Sequence, residues 1–202
     1  LTLAANDGQV ATIDPVLDEA VRLGEKQPDA WLAKVQYLAN TNRKEKARGV
    51  LEEAQKKLPP AIASWAAAKG YELLRDPGEA RKRYEALAAA KPNDAGVLRG
   101  LAEFYLRYGP GDKAKPALEK LIAVAAETQP AETDWGTREL AKLLCTGTYE
   151  QKREALKLIT ESAPAGRKKD TPSVNAEFQR TLALVFAAQK NREGYKMALK
   201  AL

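Results

Sequence analysis

A repeat of about 34 residues restricts the fold of this chain more than any other feature of its sequence. Ala47, Ala80 and Ala114 recur at intervals of 33 and 34 residues. Each alanine is followed four residues later by a large side chain, and these are Leu51, Tyr84 and Leu118. A period of this length with helical spacing predicts hairpins of two helices, which bury their apolar faces by stacking on one another.

The segment that precedes each of these alanines also carries apolar residues at helical spacing. In the third unit they are Leu98, Leu101, Ala102 and Tyr105, which follow the i, i+3, i+4, i+7 pattern of an amphipathic helix. The turn of the second unit contains the sequence Asp-Pro-Gly-Glu from Asp76. We expect Asp76 to cap the following helix, the proline to fill its first position and the glutamate to complete a capping box.

These segments resemble tetratricopeptide repeats. The motif of that family has bulky, apolar, small and aromatic residues in the first helix, then small, large and small residues in the second helix, then proline. The best match is residues 95–126, although Ala126 stands at the place of the closing proline. Residues 28–59 match through Trp31, Leu38 and Pro59, with Lys34 and Val35 as departures. The resemblance implies an all-α fold, a right-handed α-solenoid of about five antiparallel helix hairpins.

The period also predicts the organisation of the chain. We expect one helical repeat domain over residues 1–202, which is a fragment of a longer protein, with one preceding helix from about Asp14 to Lys26. The best-matching repeats are 28–59, 61–92 and 95–126, and the looser repeats are 133–163 and 174–202.

The composition argues against catalysis and metal binding. The chain has no histidine, which is the commonest general base and a frequent metal ligand. Cys145 is the only cysteine, and a lone cysteine in a helical stripe is typical of a buried filler. The carboxylates alternate with Lys and Arg at helical spacing, as on a solvated, ion-paired face. We therefore predict no enzymatic activity, no cofactor and no metal.

In the family that the sequence resembles, the first helices line a concave groove that binds ligands. By position, the resemblance implies a groove in this chain for a peptide or a partner protein, and an acidic segment is one candidate. The predicted groove residues are Trp65, Lys69, Arg99, Glu103, Arg107, Trp135, Arg138, Lys142 and Arg180. The alternative is that these are ordinary exposed helix residues. The two-carboxylate clamp of chaperone-binding relatives is absent, because Leu32, Gln36 and Glu103 stand at three of its positions.

Two further functions stay open at this level. Lys and Arg number 33 against 27 Asp and Glu, a formal charge of +6, and a positive field favours anionic partners. The basic clusters at 81–83 and 167–169 could contact phosphates, but they are short and lack interleaved aromatic residues, so nucleic acid is the less favoured partner. The stack could also act only as a spacer in a larger protein. No apolar segment approaches the length that membrane insertion requires.

Overall fold

The computed structural model describes the backbone of residues 7–162 and 172–201, and the side chains of residues 12–110, 112–162 and 176–201. These residues form eleven α-helices and no strand. The helices are α1 (Asp7–Leu23), α2 (Pro28–Asn40), α3 (Lys44–Lys57), α4 (Pro60–Leu73), α5 (Pro77–Ala90), α6 (Ala95–Tyr108), α7 (Gly111–Ala125), α8 (Pro130–Leu144), α9 (Tyr149–Glu161), α10 (Pro172–Ala188) and α11 (Arg192–Lys200).

The helices pair as hairpins with the predicted period. The first helices of the five hairpins are α2, α4, α6, α8 and α10, and the second helices are α3, α5, α7, α9 and α11. By contacts the chain divides into two compact units, Leu1–Pro92 with α1 to α5 and Asn93–Leu202 with α6 to α11. The prediction of an all-α helical repeat is confirmed, whereas the prediction of one domain stays a prediction.

The preceding helix differs from its prediction. Helix α1 begins at Asp7 and ends at Leu23, and it contains Pro15, whereas the sequence suggested a helix from Asp14 to Lys26. Proline favours the first turn of a helix, so the prediction placed the start there. Pro15 instead lies inside the helix, and Gly24 follows the last helical residue.

Capping side chains fix where several helices begin. The carboxylate of Asp76 accepts a hydrogen bond from the N–H of Glu79 at 3.2 Å, as predicted, and Pro77 is the first helical residue. The capping box expected at this helix is not completed, because the carboxylate of Glu79 instead accepts a hydrogen bond from Lys82 at 2.6 Å. A complete capping box forms at α9, where Gln151 and Thr148 satisfy each other's backbone N–H groups. This box was not predicted from the sequence.

Small residues lie at buried contacts between helices. Ala47, Ala80, Ala102 and Ala114 are all buried, as the repeat predicted. Gly70 of α4 faces Leu51 of α3 so closely that a Cβ atom built on it would lie 2.3 Å from a Leu51 methyl carbon. The large motif residues fill the remaining space, since Leu51, Tyr84 and Leu118 are buried too. The core of each unit is therefore built from alternating small and large side chains.

Candidate partner-binding surface

In the first unit, the two predicted groove residues lie on α4. Trp65 is half-buried and packs against an apolar cluster that includes Trp31 and Leu58. Packing within the unit therefore explains the position of this large aromatic side chain, and no binding partner is needed to explain it. Lys69 lies 3.4 Å from the carboxylate of Glu72, and this buried carboxylate also accepts a hydrogen bond from the Tyr84 hydroxyl at 3.0 Å.

In the second unit, Arg99 of α6 contacts side chains of both α6 and α8. Its guanidinium donates to Glu103 at 3.0 Å and to both carboxylate oxygens of Glu132 at 3.0 and 3.1 Å. It also lies over the ring of Trp135, 4.5 Å from the centroid, within the range of a cation–π interaction. Burial acts to lower the pKa of Arg99, but the hydrogen bonds to Glu103 and Glu132 outweigh it, so the pKa is raised above its usual value.

Arg138 of α8 is placed differently. Its guanidinium lies over the ring of Phe178 of α10, 5.3 Å from the centroid. Within the described part of the chain, no carboxylate lies within ion-pairing distance of it. Arg99 and Arg138 thus each cover an aromatic ring on the next first helix, but only Arg99 is neutralised by neighbouring carboxylates.

The other predicted groove residues of the second unit are also accounted for. Lys142 pairs with Glu139 at 2.8 Å, and Arg180 pairs with Glu177 at 2.6 Å. Arg107 is exposed and lies over the ring of Tyr108, 5.8 Å from the centroid. The first-helix surface of this unit, formed by α6, α8 and α10, therefore carries mixed charge rather than a purely basic stripe.

The acidic partners on this surface were not predicted from the sequence. Glu139 and Glu177 each lie three residues before the base with which they pair, so helical spacing alone could have found them. Glu132 lies 33 residues after Arg99, about one repeat, and such pairs join adjacent first helices. The expected stripe joins Lys69 of the first unit to Arg99, Arg138 and Lys142 of the second, and it stays a prediction.

The basic clusters provide no developed phosphate site within the described residues. Arg83 lies over the Tyr71 ring, 5.6 Å from the centroid, and Lys82 pairs with Glu79. The second cluster, at residues 167–169, lies outside the described residues. Nucleic acid therefore stays the less favoured partner.

The described residues contain no group of three or more Cys, Asp or Glu side chains placed to hold a metal ion. Burial raises the pKa of the Cys145 thiol, which lowers the thiolate fraction and with it the nucleophilicity. None of the described helices has the length and apolar character needed to cross a bilayer.

Comparison with known proteins confirms the resemblance. Residues 74–131 match the model of the tetratricopeptide repeat family, a segment that contains α5, α6 and α7. Tetratricopeptide repeats are in general modules of protein–protein interaction, and the proteins that carry them typically act as non-enzymatic scaffolds. No curated protein matches the sequence.

Solved structures of tetratricopeptide-like proteins share the fold. BtubC (BKLC) from P. vanneervenii aligns with a TM-score of 0.65 at 16% identity, covering 96% of this chain and 88% of BtubC. A putative kinesin light chain with TPR-like repeats from Podosopora anserina aligns at 0.66 and 21% identity, covering 85% and 90%. YrrB, described as a TPR protein with an unusual peptide-binding site, aligns at 0.51 and 16% identity, covering 92% and 89%. At these identities the likeness concerns the fold.

Proposed function

We propose that this chain is a non-catalytic interaction scaffold, and that the first-helix surface of its second unit binds a peptide or an extended segment of a partner protein. The proposal rests on the family's general role and on one observation. Arg138 is half-buried, held over the Phe178 ring and without a carboxylate neighbour among the described residues. An oriented guanidinium with unused donors is suited to a carboxylate of a ligand.

The surroundings of Arg138 define the kind of ligand. Lys142 lies one turn after Arg138 on α8, and Arg180 lies two residues after Phe178 on α10, but each already pairs with a glutamate. A long acidic ligand would have to displace those glutamates, whereas a single carboxylate at Arg138 displaces none. We therefore propose a peptide with one well-placed carboxylate, and aromatic or apolar residues beside it for the adjoining rings.

Arg99 serves in this proposal as a positioning residue for the same surface. Its contacts with Glu132 and Trp135 link α6 to α8 and keep the indole ring in place. In the first unit, we propose that Trp65 and Lys69 contribute a corresponding surface on α4, where each is also held by a neighbour from its own unit.

The test begins with peptides selected from a phage-displayed library of random dodecapeptides on the 202-residue chain. Their affinities are then measured by fluorescence anisotropy on Arg138→Met and Arg153→Met variants. The first substitution keeps an apolar stem over Phe178 but removes the charge. The second is a matched control, because Arg153 is exposed on the second helix α9.

We expect Arg138→Met to weaken binding about tenfold or more, since a charge-assisted hydrogen bond contributes roughly 1.5–3 kcal/mol. Arg153→Met should stay close to the wild-type affinity. Failure to select any peptide, or equal losses for both variants, would refute the proposed surface.

A further inference from the structure

One position of the first helix carries a large buried side chain in the first and third hairpins but not in the second. This position lies sixteen residues before the repeat alanine of the second helix. It is Trp31 in α2 and Leu98 in α6, which are 2% and 1% exposed and pack against the second helix of their own hairpin. In α4 the position is Ser64, which is small and exposed. The second hairpin therefore lacks the side chain that fills this space in the other two.

A hollow lies at this place, between the first half of α4 and the second half of α5. Its volume is about 390 Å³, which is within the range of about 300–1,000 Å³ that is typical of ligand pockets. Gln55 of α3 borders it. Most of the wall consists of alanine methyl groups, and the wall residues are Ala63, Ser64, Ala67, Ala86, Leu87 and Ala90.

Helix α5 widens the hollow through two exposed alanines, Ala86 and Ala90. They lie six and ten residues after the repeat alanine. The same positions of the two neighbouring second helices carry longer side chains, which are Glu53 and Lys57 in α3 and Lys120 and Val124 in α7. The hollow therefore results from short side chains at three repeat positions, one on α4 and two on α5.

The surroundings of Trp31 indicate which side chain fits such a wall. The cluster around its indole contains three alanines, Ala54, Ala63 and Ala66, together with Leu58. The wall of the hollow has the same character, because it combines alanines with the buried side chain of Leu87. Tryptophan is also among the residues that most often fill apolar pockets at protein interfaces. The walls therefore match a large aromatic side chain.

Arg83 adds a positive charge to the hollow. It is the one charged residue among those that line the hollow, it is exposed, and its guanidinium lies 5.6 Å from the centroid of the Tyr71 ring. Within the described residues, Arg83 has no ion-pair partner. Its N–H groups can therefore donate to a carboxylate that is bound beside the hollow.

We propose that the hollow between α4 and α5 binds a tryptophan side chain of a partner protein, and that an acidic residue next to this tryptophan pairs with Arg83. The partner's indole takes the place that Trp31 occupies in the first hairpin. This site uses none of Arg138, Trp65 and Lys69, so its test is independent of the proposed peptide surface.

The probes are two blocked peptides, acetyl-Ala-Trp-Asp-Ala-amide and acetyl-Ala-Asp-Trp-Ala-amide, which present the two residues in both orders. One analogue of each has Ala in place of Trp, and a second has Asn in place of Asp. NMR titration of the labelled 202-residue chain measures the dissociation constants from the amide shifts of Ala67, Ala86 and Ala90.

Two pairs of protein variants complete the experiment. Ser64→Trp fills the hollow from within the chain, and Ala89→Trp is its matched control, because Ala89 is exposed on α5 and does not line the hollow. Arg83→Met removes the charge. Arg81→Met is its control, because Arg81 is exposed on the same helix and also does not line the hollow.

At least one peptide should bind the wild-type chain, and its Ala analogue should bind at least about tenfold more weakly, since burial of an aromatic side chain is lost. Ser64→Trp should abolish binding and melt at a higher temperature than Ala89→Trp, which should bind like the wild type. Arg83→Met should weaken binding about twofold to fivefold, as for an exposed ion pair, and should no longer distinguish the Asp peptide from its Asn analogue. Arg81→Met should leave the affinity unchanged.

Several results would overturn the proposal: no binding of either peptide, equal affinity for the Trp and Ala peptides, or equal losses for Arg83→Met and Arg81→Met. A folded Ser64→Trp variant that still binds, or that is less stable than Ala89→Trp, would do the same. If Ser64→Trp loses the helical circular dichroism signal, the peptide analogues and the arginine variants decide alone. Sedimentation velocity tests another occupant, because a wild type that self-associates and a Ser64→Trp variant that stays monomeric would show that a second copy fills the hollow instead.

Discussion

Replacing Gly70 by alanine tests the contact between α4 and Leu51 of α3 in the first unit. A Cβ atom at this position would lie 2.3 and 2.6 Å from the two methyl carbons of Leu51, which is 1% exposed. Leu51 cannot turn into solvent without leaving the core, so Gly70→Ala must overpack it. Gly49 of α3 provides the control, since a Cβ there would meet no atom within 4 Å.

The two substitutions should change the free energy of unfolding by different amounts. Alanine is favoured over glycine inside a helix by about 0.8–1.0 kcal/mol, and this gain is common to both variants. Overpacking a core costs about 1–3 kcal/mol, and only Gly70→Ala incurs it. The free energy of unfolding should therefore be higher than wild type for Gly49→Ala, and lower for Gly70→Ala than for Gly49→Ala by about the overpacking cost.

Denaturant titration followed by circular dichroism measures both values, and a thermal scan should show a difference of about 2–4 °C per kcal/mol for a chain of this length. A third variant should reverse the sign of the effect of Gly70→Ala on stability. Leu51→Ala leaves a cavity, with a cost of about 2–5 kcal/mol, and on that background Gly70→Ala should stabilise the protein. If Gly70→Ala stabilises the wild-type chain as much as Gly49→Ala does, the described contact between α3 and α4 is wrong.

Three further outcomes are expected. Asp94→Ala removes the cap that accepts from the Val97 N–H at 3.1 Å, and it should lower the free energy of unfolding by about 0.5–2 kcal/mol; an unchanged denaturation midpoint would contradict the cap. A hydrogen bond from Arg43 lowers the pKa of Asp14 below 3.8, so the pair stabilises the protein above pH 3.8 and this contribution is lost as the pH falls through the lowered pKa. Wild type should therefore lose more stability than Asp14→Asn in denaturation measured from pH 5 to pH 3, and parallel losses would exclude the pair. Burial raises the pKa of Cys145, so iodoacetamide should alkylate it more slowly at pH 8 than an unstructured peptide thiol, and equal rates would show that the thiol is not shielded.

The sequence by itself determined the helical hairpins, because their signals are local. The interval between Ala47, Ala80 and Ala114 sets the period, and all three alanines are buried as expected. The cap at Asp76 could be predicted for the same reason, since it depends on residues within one turn. The start of α1 was predicted wrongly, because proline favours the first turn of a helix whereas Pro15 lies inside α1.

Only the tertiary structure decided what the predicted groove residues touch. Arg99 is held by Glu132 and Trp135, and Arg138 lies over Phe178, so each contact joins two different helices. A repeat pattern fixes the face of each helix, but the pairing of side chains across helices follows from the offset and angle at which the helices pack.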